Sequence, residues 1–348
     1  MGAWYCTRED VKSALDVKET ARNNAQVDRI VEAASRTVEG YLHRKFYPQL
    51  ATRYFDWPNR AHGSSYRIWL DADEVISVTT LTAAGTAISA ADYFLEPANS
   101  GPPYTHLELD RGSSASFDSG DTHQRAIAMT GLFGHSAETE AVGELTATLE
   151  ADVDDDATLS WTTARVGVGD ILLVDDERLV ISDRSMVDST QNLQSALTAS
   201  MADDVVAVTT GSGFGVDEVI LLDSERMLIV DIAGNNLTVK RAWDGTTLAA
   251  HTGSDIYALT GITVKRAQFG TTLAEHTTGD TVYRHVVPGL VKDLTVAEAV
   301  NQLLQETSGY ARQVGAGDHI QELFGRGLQK IRDDATRRYG RKRFGRAV

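Results

Sequence analysis

Apolar residues recur every three or four positions in four stretches of the chain, and this spacing predicts four helices. In the second stretch, Ile30, Val31, Ala34 and Val38 fall on one helical face. The predicted helices cover residues 8–17, 27–48, 293–315 and 319–340. The segments between them lack this period and are rich in short β-type runs.

Capping residues support the helix assignments. Thr7 precedes the first helix, and Asp10 stands three positions on, which is the spacing at which a hydroxyl and a carboxylate cap each other's backbone N–H groups. Thr295 and Glu298 have the same spacing and predict the start of the third helix. Pro48 predicts the end of the second helix.

Aromatic and β-branched residues alternate or cluster in the segments after the second helix, as is typical of strands. The predicted strands lie at 52–57, 66–71, 75–82, 92–96 and 124–135. Their aromatic residues could stack nucleic-acid bases, but the surrounding charge is mixed, and a place in a core is favoured. These residues are Tyr54, Phe55, Trp57, Tyr66 and Trp69.

Residues 141–287 contain two internal duplications. The segment GDILLVDDERLVI at 169–181 recurs as DEVILLDSERMLI at 217–229, a shift of 48 residues. The segment LTVKRAWDGTTLAAHTGSD at 237–255 recurs as ITVKRAQFGTTLAEHTTGD at 262–280, a shift of 25. We interpret this region as an all-β insertion domain of hairpins, a small barrel or sandwich, that arose by internal duplication.

The predicted fold class is therefore α+β: a small helical bundle with a β-hairpin, interrupted by the all-β insertion domain. Residues 1–140 form the first part of the helical and hairpin domain, and 141–287 the insertion. Residues 288–324 supply the closing helices, and 325–348 a basic C-terminal tail. We expect the insertion to project outward and its deletion, from 141 to 286, to leave a soluble helical domain.

The formal net charge is −16, but the tail is basic and indicates an acidic partner. A solvated helix end is the alternative interpretation. The tail also contains aromatic residues between its charges, which could anchor it on that partner. The candidate partner-binding residues are Arg326, Lys330, Arg337, Arg338, Tyr339, Arg341, Lys342, Arg343, Phe344 and Arg346.

No catalytic, cofactor or metal site is predicted. The glycine-rich segment 211–215 precedes a predicted strand, whereas a phosphate-binding loop opens a helix. The aspartates at 152–156 lack the ligand spacing of a calcium loop. His251 and His276 occupy equivalent duplicated turns and are interpreted as structural, and Cys6 is the only cysteine. No apolar run reaches the roughly 18 residues of a membrane span, and the N-terminus lacks the pattern of a signal peptide.

The order of elements over residues 7–135, resuming near Pro288, resembles the head-to-tail connector proteins of long-tailed double-stranded-DNA bacteriophages, also called adaptor or head-completion proteins. The resemblance implies a structural virion protein and not an enzyme. It implies a homo-oligomeric ring of twelve subunits, assembled in the host cytoplasm and located in the virion neck between head and tail. In such families the C-terminal segment commonly reaches the portal, and DNA in the channel is the competing target of the basic tail.

The partners implied by the resemblance are the portal protein, a tail-side neck or stopper protein, and double-stranded DNA that passes through the channel without sequence specificity. An acidic channel wall would keep the DNA from adhering. No membrane partner is expected. The duplicated insertion departs from the short form of the family. The rival interpretations are a tail-surface or host-glycan-binding structural protein and a glycan hydrolase.

Overall fold

Four helices are present in a computed structural model that describes residues 2–15, 24–58, 65–151, 156–159, 166–307, 313–314, 321–322 and 326–341. They are α1 (Arg8–Leu15), α2 (Asn24–Leu42), α3 (Gly289–Thr307) and α4 (Arg326–Tyr339). α3 contacts the other three helices. The remaining elements are mostly antiparallel strands, which confirms the α+β class. The described part of the chain has no closed barrel.

The helix ends confirm one predicted cap and correct another. Thr7 Oγ1 accepts the N–H of Asp10 at 3.0 Å, and Asp10 Oδ2 accepts the N–H of Thr7 at 2.9 Å, so α1 has the predicted capping box. The cap predicted at Thr295 is wrong, because α3 already begins at Gly289. The Pro288 carbonyl accepts the N–H of Val291 at 2.8 Å and starts the helix, and the Thr295 hydroxyl donates within the helix to Val291 O.

Three predicted helix boundaries also differ. α2 ends at Leu42, six residues before the proline, because His43 adopts the left-handed conformation with a φ of 51°. Residues 313–314 and 321–322, predicted as helical, form a short antiparallel pair, β18 (Gln313–Val314) and β19 (Gln321–Glu322). The chain between them contains Gly315 and Gly317, which are unfavourable in a helix interior.

The first β region forms two sheets around their own core. The four-stranded sheet has the order β1-β7-β3-β4 and the three-stranded sheet the order β2-β6-β5. Leu81, Leu107, Ile127 and Met129 are buried between them. The strands are β1 (Gln49–Phe55), β2 (Arg67–Trp69), β3 (Val75–Ala83), β4 (Thr86–Ile88), β5 (Tyr93–Glu96), β6 (His106–Leu109) and β7 (Ile127–Phe133).

The aromatic residues of this region divide between core and surface. Phe55, Trp57 and Tyr66 pack against the core, and Trp57 Nε1 donates to Phe117 O at 3.0 Å. Tyr54 and Trp69 lie on the outside, with 61% and 39% exposed. The expectation of a core position therefore holds for three of the five aromatic residues.

The second β region is a ten-stranded antiparallel sheet with the order β12-β15-β14-β13-β16-β11-β10-β17-β8, to which β9 is paired through β16. Its strands are β8 (Thr139–Glu144), β9 (Asp156–Leu159), β10 (Ile171–Val174), β11 (Glu177–Asn192), β12 (Val205–Ala207), β13 (Val219–Leu222), β14 (Glu225–Ala233), β15 (Asn236–Lys240), β16 (Asp255–Lys265) and β17 (Thr281–His285).

The duplicated segments form two equivalent units, one nested inside the other. Unit 1 comprises the described residues between 145 and 185 together with residues 261–285, and unit 2 comprises residues 193–258. In unit 2, β14 and β15 pair as a hairpin whose last pair is Ala233 with Asn236, across a two-residue turn. The equivalent pair in unit 1 is Ser185 with Gly261, and the whole of unit 2 lies between them. Unit 2 is thus inserted at the hairpin turn of unit 1.

The two units differ in what their cores touch. Unit 2 encloses its own core, in which Ile220, Met227 and Ile229 are fully buried. The core of unit 1 is continuous with the helices, because Leu172 and Ile181 lie in one cluster with residues of α2 and α3. Deleting residues 141–286 would expose helix faces that are buried in the intact chain, which argues against the expectation that this deletion leaves a soluble helical domain.

Candidate functional site

The turn of unit 2 holds a buried carboxylate with a complete set of donors. Arg241 donates from Nε and Nη2 to the two oxygens of Glu225, both at 2.8 Å. The backbone N–H groups of Ala242 and Ala249 donate to the same carboxylate at 2.9 Å. His251 Nε2 lies 2.9 Å from Glu225 Oε2. Both side chains of the Glu–Arg pair are fully buried.

Unit 1 repeats this arrangement with residues that are far apart in sequence. Glu177 binds Arg266, the N–H groups of Ala267 and Ala274, and Nε2 of His276, at distances from 2.7 to 3.1 Å. Glutamate and arginine are 89 residues apart in unit 1 and 16 apart in unit 2. The conserved local geometry therefore depends on the nesting of the units.

The histidines connect each buried carboxylate to an exposed one. His251 Nδ1 lies 2.7 Å from Asp223 Oδ2, and His276 Nδ1 lies 3.0 Å from Asp175 Oδ2. In unit 1 Asp280 is also close enough for Asp175, His276 and Asp280 to hold a metal ion. The hydrogen bonds already use these groups, however, because Asp280 accepts the N–H of Thr277 at 2.6 Å. The geometry is that of a structural turn.

Hydrogen bonding, rather than burial, decides the ionisation of the buried carboxylates. Burial by itself raises the pKa of Glu225, but the bonds from Arg241, His251, Ala249 and Ala242 outweigh it and lower the pKa to about 2. The pKa of Glu177 is lowered for the same reason, against the effect of burial. Both carboxyl groups are anions at neutral pH, and each is bound by an arginine and by two backbone N–H groups.

These shifts predict an acid-sensitive stability. A carboxyl group with a lowered folded-state pKa stabilises the fold above its unfolded-state pKa, and this contribution is lost as the pH falls through the folded-state value. For Glu225 the window runs from about 4.5 down to about 2. We expect the urea midpoint to fall steadily across that window. A midpoint that does not change between pH 5 and pH 2 would contradict the assigned role of this cluster.

The predicted partner-binding residues lie on and after α4, whose end meets the end of α2. The N–H of Arg341 donates to Leu42 O at 3.0 Å. Lys330, Arg337 and Arg338 are exposed. Arg337 has a partner in Asp334 at 3.3 Å. Lys342, Arg343, Phe344 and Arg346 lie outside the described residues, as does the side chain of Arg326.

Residues after α2 extend this surface. His43 and Lys45 are exposed, and Arg44 pairs with Glu74 at 3.1 Å. Burial, with a contribution from the positive charge of Arg44, lowers the pKa of His135 to about 4. We define the basic face as His43, Lys45, Arg337, Arg338 and Arg341. The predicted second helix, 27–48, includes Lys45, but in the structure Lys45 follows the end of α2 and neighbours Phe46, which packs on Tyr339 of α4.

Tyr339 does not have the exposed position expected of a partner anchor. Its ring packs edge-on against Phe46 at 5.9 Å and His135 at 5.6 Å between centroids. On the same helix, Ala335 is fully buried, and Arg332 binds both oxygens of Glu298 at 2.5 and 2.8 Å. α4 is therefore held by the helical core, and its basic residues are presented from a fixed helix.

The comparisons with known proteins give no assignment: no family model, no curated protein and no solved structure matches this chain. None of the described helices has the length and apolarity to cross a bilayer. The glycine-rich segment at 211–215 forms a 3₁₀ turn, Gly211–Gly213, and the next element is strand β13, as the sequence predicted. Within the described residues, the basic face collects cationic side chains near the ends of α2 and α4.

Proposed function

We propose that the chain is a structural virion protein that forms the adaptor ring between the portal and the tail of a long-tailed bacteriophage. The observation that carries the proposal is the basic face on a chain with a net charge of −16. The ends of α2 and α4 meet through the bond from Arg341 N–H to Leu42 O, and exposed basic residues lie near both ends. The basic sequence continues to Val348. Arginine binds carboxylates with forked hydrogen bonds, so an acidic protein surface is a suitable partner.

The order of helices and strands supports the same proposal. α1 and α2 precede a β region, and α3 and α4 return to pack on them. We infer that this helical bundle and its hairpins correspond to the connector subunit. The acidic remainder of the chain would face the DNA channel and repel the DNA that passes. The ring would complete the head and bind a tail-side neck protein at its other end.

Ring formation by the purified protein tests the oligomeric part of the proposal. We expect native mass spectrometry and negative-stain microscopy to show closed rings with twelve subunits, alone or on addition of portal particles. A protein that stays monomeric in both conditions would contradict the adaptor assignment.

Charge reversal on the basic face tests the portal contact. Changing Arg337 and Arg338 to glutamate should weaken attachment to portal-containing heads at least tenfold, since like-charge contacts at an interface cost several kcal/mol. The helix should remain folded, because both side chains are exposed. Arg125→Glu, at another exposed arginine, is the matched control. Equal attachment of the double variant and the control would refute the contact.

A truncation that tests the portal contact must leave α4 intact. A cut after Gly325 would remove the buried Ala335 and the Arg332–Glu298 ion pair, and so would perturb the helical core. A cut after Arg341 removes only the last seven residues. We expect this shorter truncation to leave rings intact and to reduce their attachment to portal-containing heads.

A further inference from the structure

The turns after the two buried histidines are equivalent, but the turn of unit 1 is one residue longer. In unit 2 the N–H of Leu193 donates to Ser254 O at 2.9 Å. In unit 1 the N–H of Leu145 donates to Asp280 O, also at 2.9 Å. Since the two leucines are related by the 48-residue shift of the duplication, these bonds place Ser254 and Asp280 at the same point of their units.

This exchange replaces a donor with an acceptor. In unit 2 the hydroxyl of Ser254 donates to Asp223 Oδ2 at 2.8 Å, beside the contact of that oxygen with the histidine. In unit 1 a second carboxylate faces the aspartate instead. One ligand atom each of Asp175, His276 and Asp280 lies within 4.8 Å of the other two. Two carboxylates therefore stand close together without the hydroxyl that unit 2 supplies.

The histidine of unit 1 directs a ring nitrogen at this pair. His276 is 1% exposed, and its Nε2 lies 3.0 Å from Glu177 Oε2. Because Glu177 is an anion, the single proton of the neutral imidazole lies on Nε2, and Nδ1 presents its lone pair 3.0 Å from Asp175 Oδ2. Histidines that bind metal ions are held in this way, by donating their other N–H to a carboxylate.

The formal charges of the two units differ by one. Around a neutral His276, the three carboxylates of Asp175, Glu177 and Asp280 and one guanidinium give −3 + 1 = −2. In unit 2, two carboxylates and one guanidinium give −2 + 1 = −1. A second proton on His251 neutralises the unit 2 group. The unit 1 group needs two positive charges, which a divalent cation supplies.

We propose that Asp175, His276 and Asp280 bind a divalent transition-metal cation. One imidazole nitrogen and two carboxylate oxygens suit Zn²⁺, and three protein ligands leave its fourth position to water. The Thr277 N–H and hydroxyl, at 2.6 and 3.2 Å, hold the Asp280 carboxylate in place, and each of its oxygens keeps a further lone pair. Asp175 is exposed, so the cation enters from solvent.

The cation would reinforce the turn of unit 1. Asp175 lies between β10 and β11, whereas His276 and Asp280 precede β17, so a shared cation ties the two segments together. A ligand that binds only the folded state stabilises it by mass action. The proposal does not depend on the adaptor assignment.

Calorimetric titration of the full chain with Zn²⁺, without an affinity tag and after treatment with a chelator, tests the site. We expect one Zn²⁺ per chain and weaker binding of Mg²⁺, which does not favour imidazole. Asp175→Asn should weaken Zn²⁺ binding about tenfold or more, because a ligand is lost. Asp223→Asn is the matched control, since Asp223 is the equivalent residue of unit 2 and also contacts a buried histidine.

Hydrogen exchange on the unmodified protein gives an independent readout. Zn²⁺ should slow exchange of the amides at 276–280 and leave those at 251–255 unchanged. Asp280→Ser, which restores the unit 2 residue, should remove this protection. Absence of Zn²⁺ binding, or equal binding in the two asparagine variants, would overturn the proposal. Equal affinity for Mg²⁺ and Zn²⁺ would also overturn it, because the histidine would then not be a ligand.

Discussion

Replacing Glu225 with alanine is expected to lower the free energy of unfolding by about 3–5 kcal/mol. The change leaves the buried guanidinium of Arg241 without its carboxylate and removes the acceptor of two backbone N–H groups and of His251. The loss of one member of a buried ion pair costs more than the loss of an exposed pair, because the remaining charge is not solvated. Urea denaturation followed by circular dichroism measures the effect.

Glu275→Ala is the matched control, since Glu275 is exposed in the equivalent turn region of unit 1. Its effect should stay within about 0.5 kcal/mol. Because unit 2 has its own core, the Glu225 variant should lose amide protection in unit 2 before unit 1. A Glu225 variant as stable as the control would show that the buried cluster is not a determinant of the fold.

Removal of unit 2 should leave the rest of the protein folded. The design replaces residues 186–260 with Gly-Asn, the turn that unit 2 uses between Ala233 and Asn236. Ser185 and Gly261 are already paired across the strands, so a two-residue turn can close the hairpin. We expect a soluble protein that retains α-helical circular dichroism and the amide protection of β10 and β17.

Deletion of residues 141–286 is the contrasting variant. It removes the unit 1 side of a core shared with α2 and α3, where Ile30, Ala34 and Leu303 are fully buried. We expect that variant to aggregate or to lose cooperative unfolding. If the larger deletion folds and the Gly-Asn variant does not, the nesting of the units has been assigned incorrectly.

Local features of the fold could be predicted from the sequence, and long-range pairing could not. The capping box at Thr7 depends on residues three positions apart, so its pattern is visible in the chain. The Thr295–Glu298 pattern has the same spacing, but the Glu298 carboxylate forms an ion pair with Arg332 of α4 and does not cap α3. Nothing in the local sequence distinguishes the true cap at Thr7 from the false one at Thr295, because Arg332, which binds Glu298, is 34 residues away in the chain.

The duplicated segments are visible in the sequence, but which copy pairs with which in the fold is less evident. The copies of the first segment are shifted by 48 residues and those of the second by 25. Both shifts are explained if residues 169–181 belong with residues 262–280, and residues 217–229 with residues 237–255. Glu177 and Arg266 could have been found in this way, since both lie in duplicated segments. The basic face was only partly predictable, because Lys45 reaches it through the packing of Phe46 on Tyr339.

The location of the protein in purified virus particles tests the central claim most directly. Cryo-electron microscopy of the neck should show a ring of this chain between the portal and the tail, with α4 and the residues after it directed toward the portal. Density for this chain on the outer surface or at the tip of the tail, with none in the neck, would contradict the adaptor assignment.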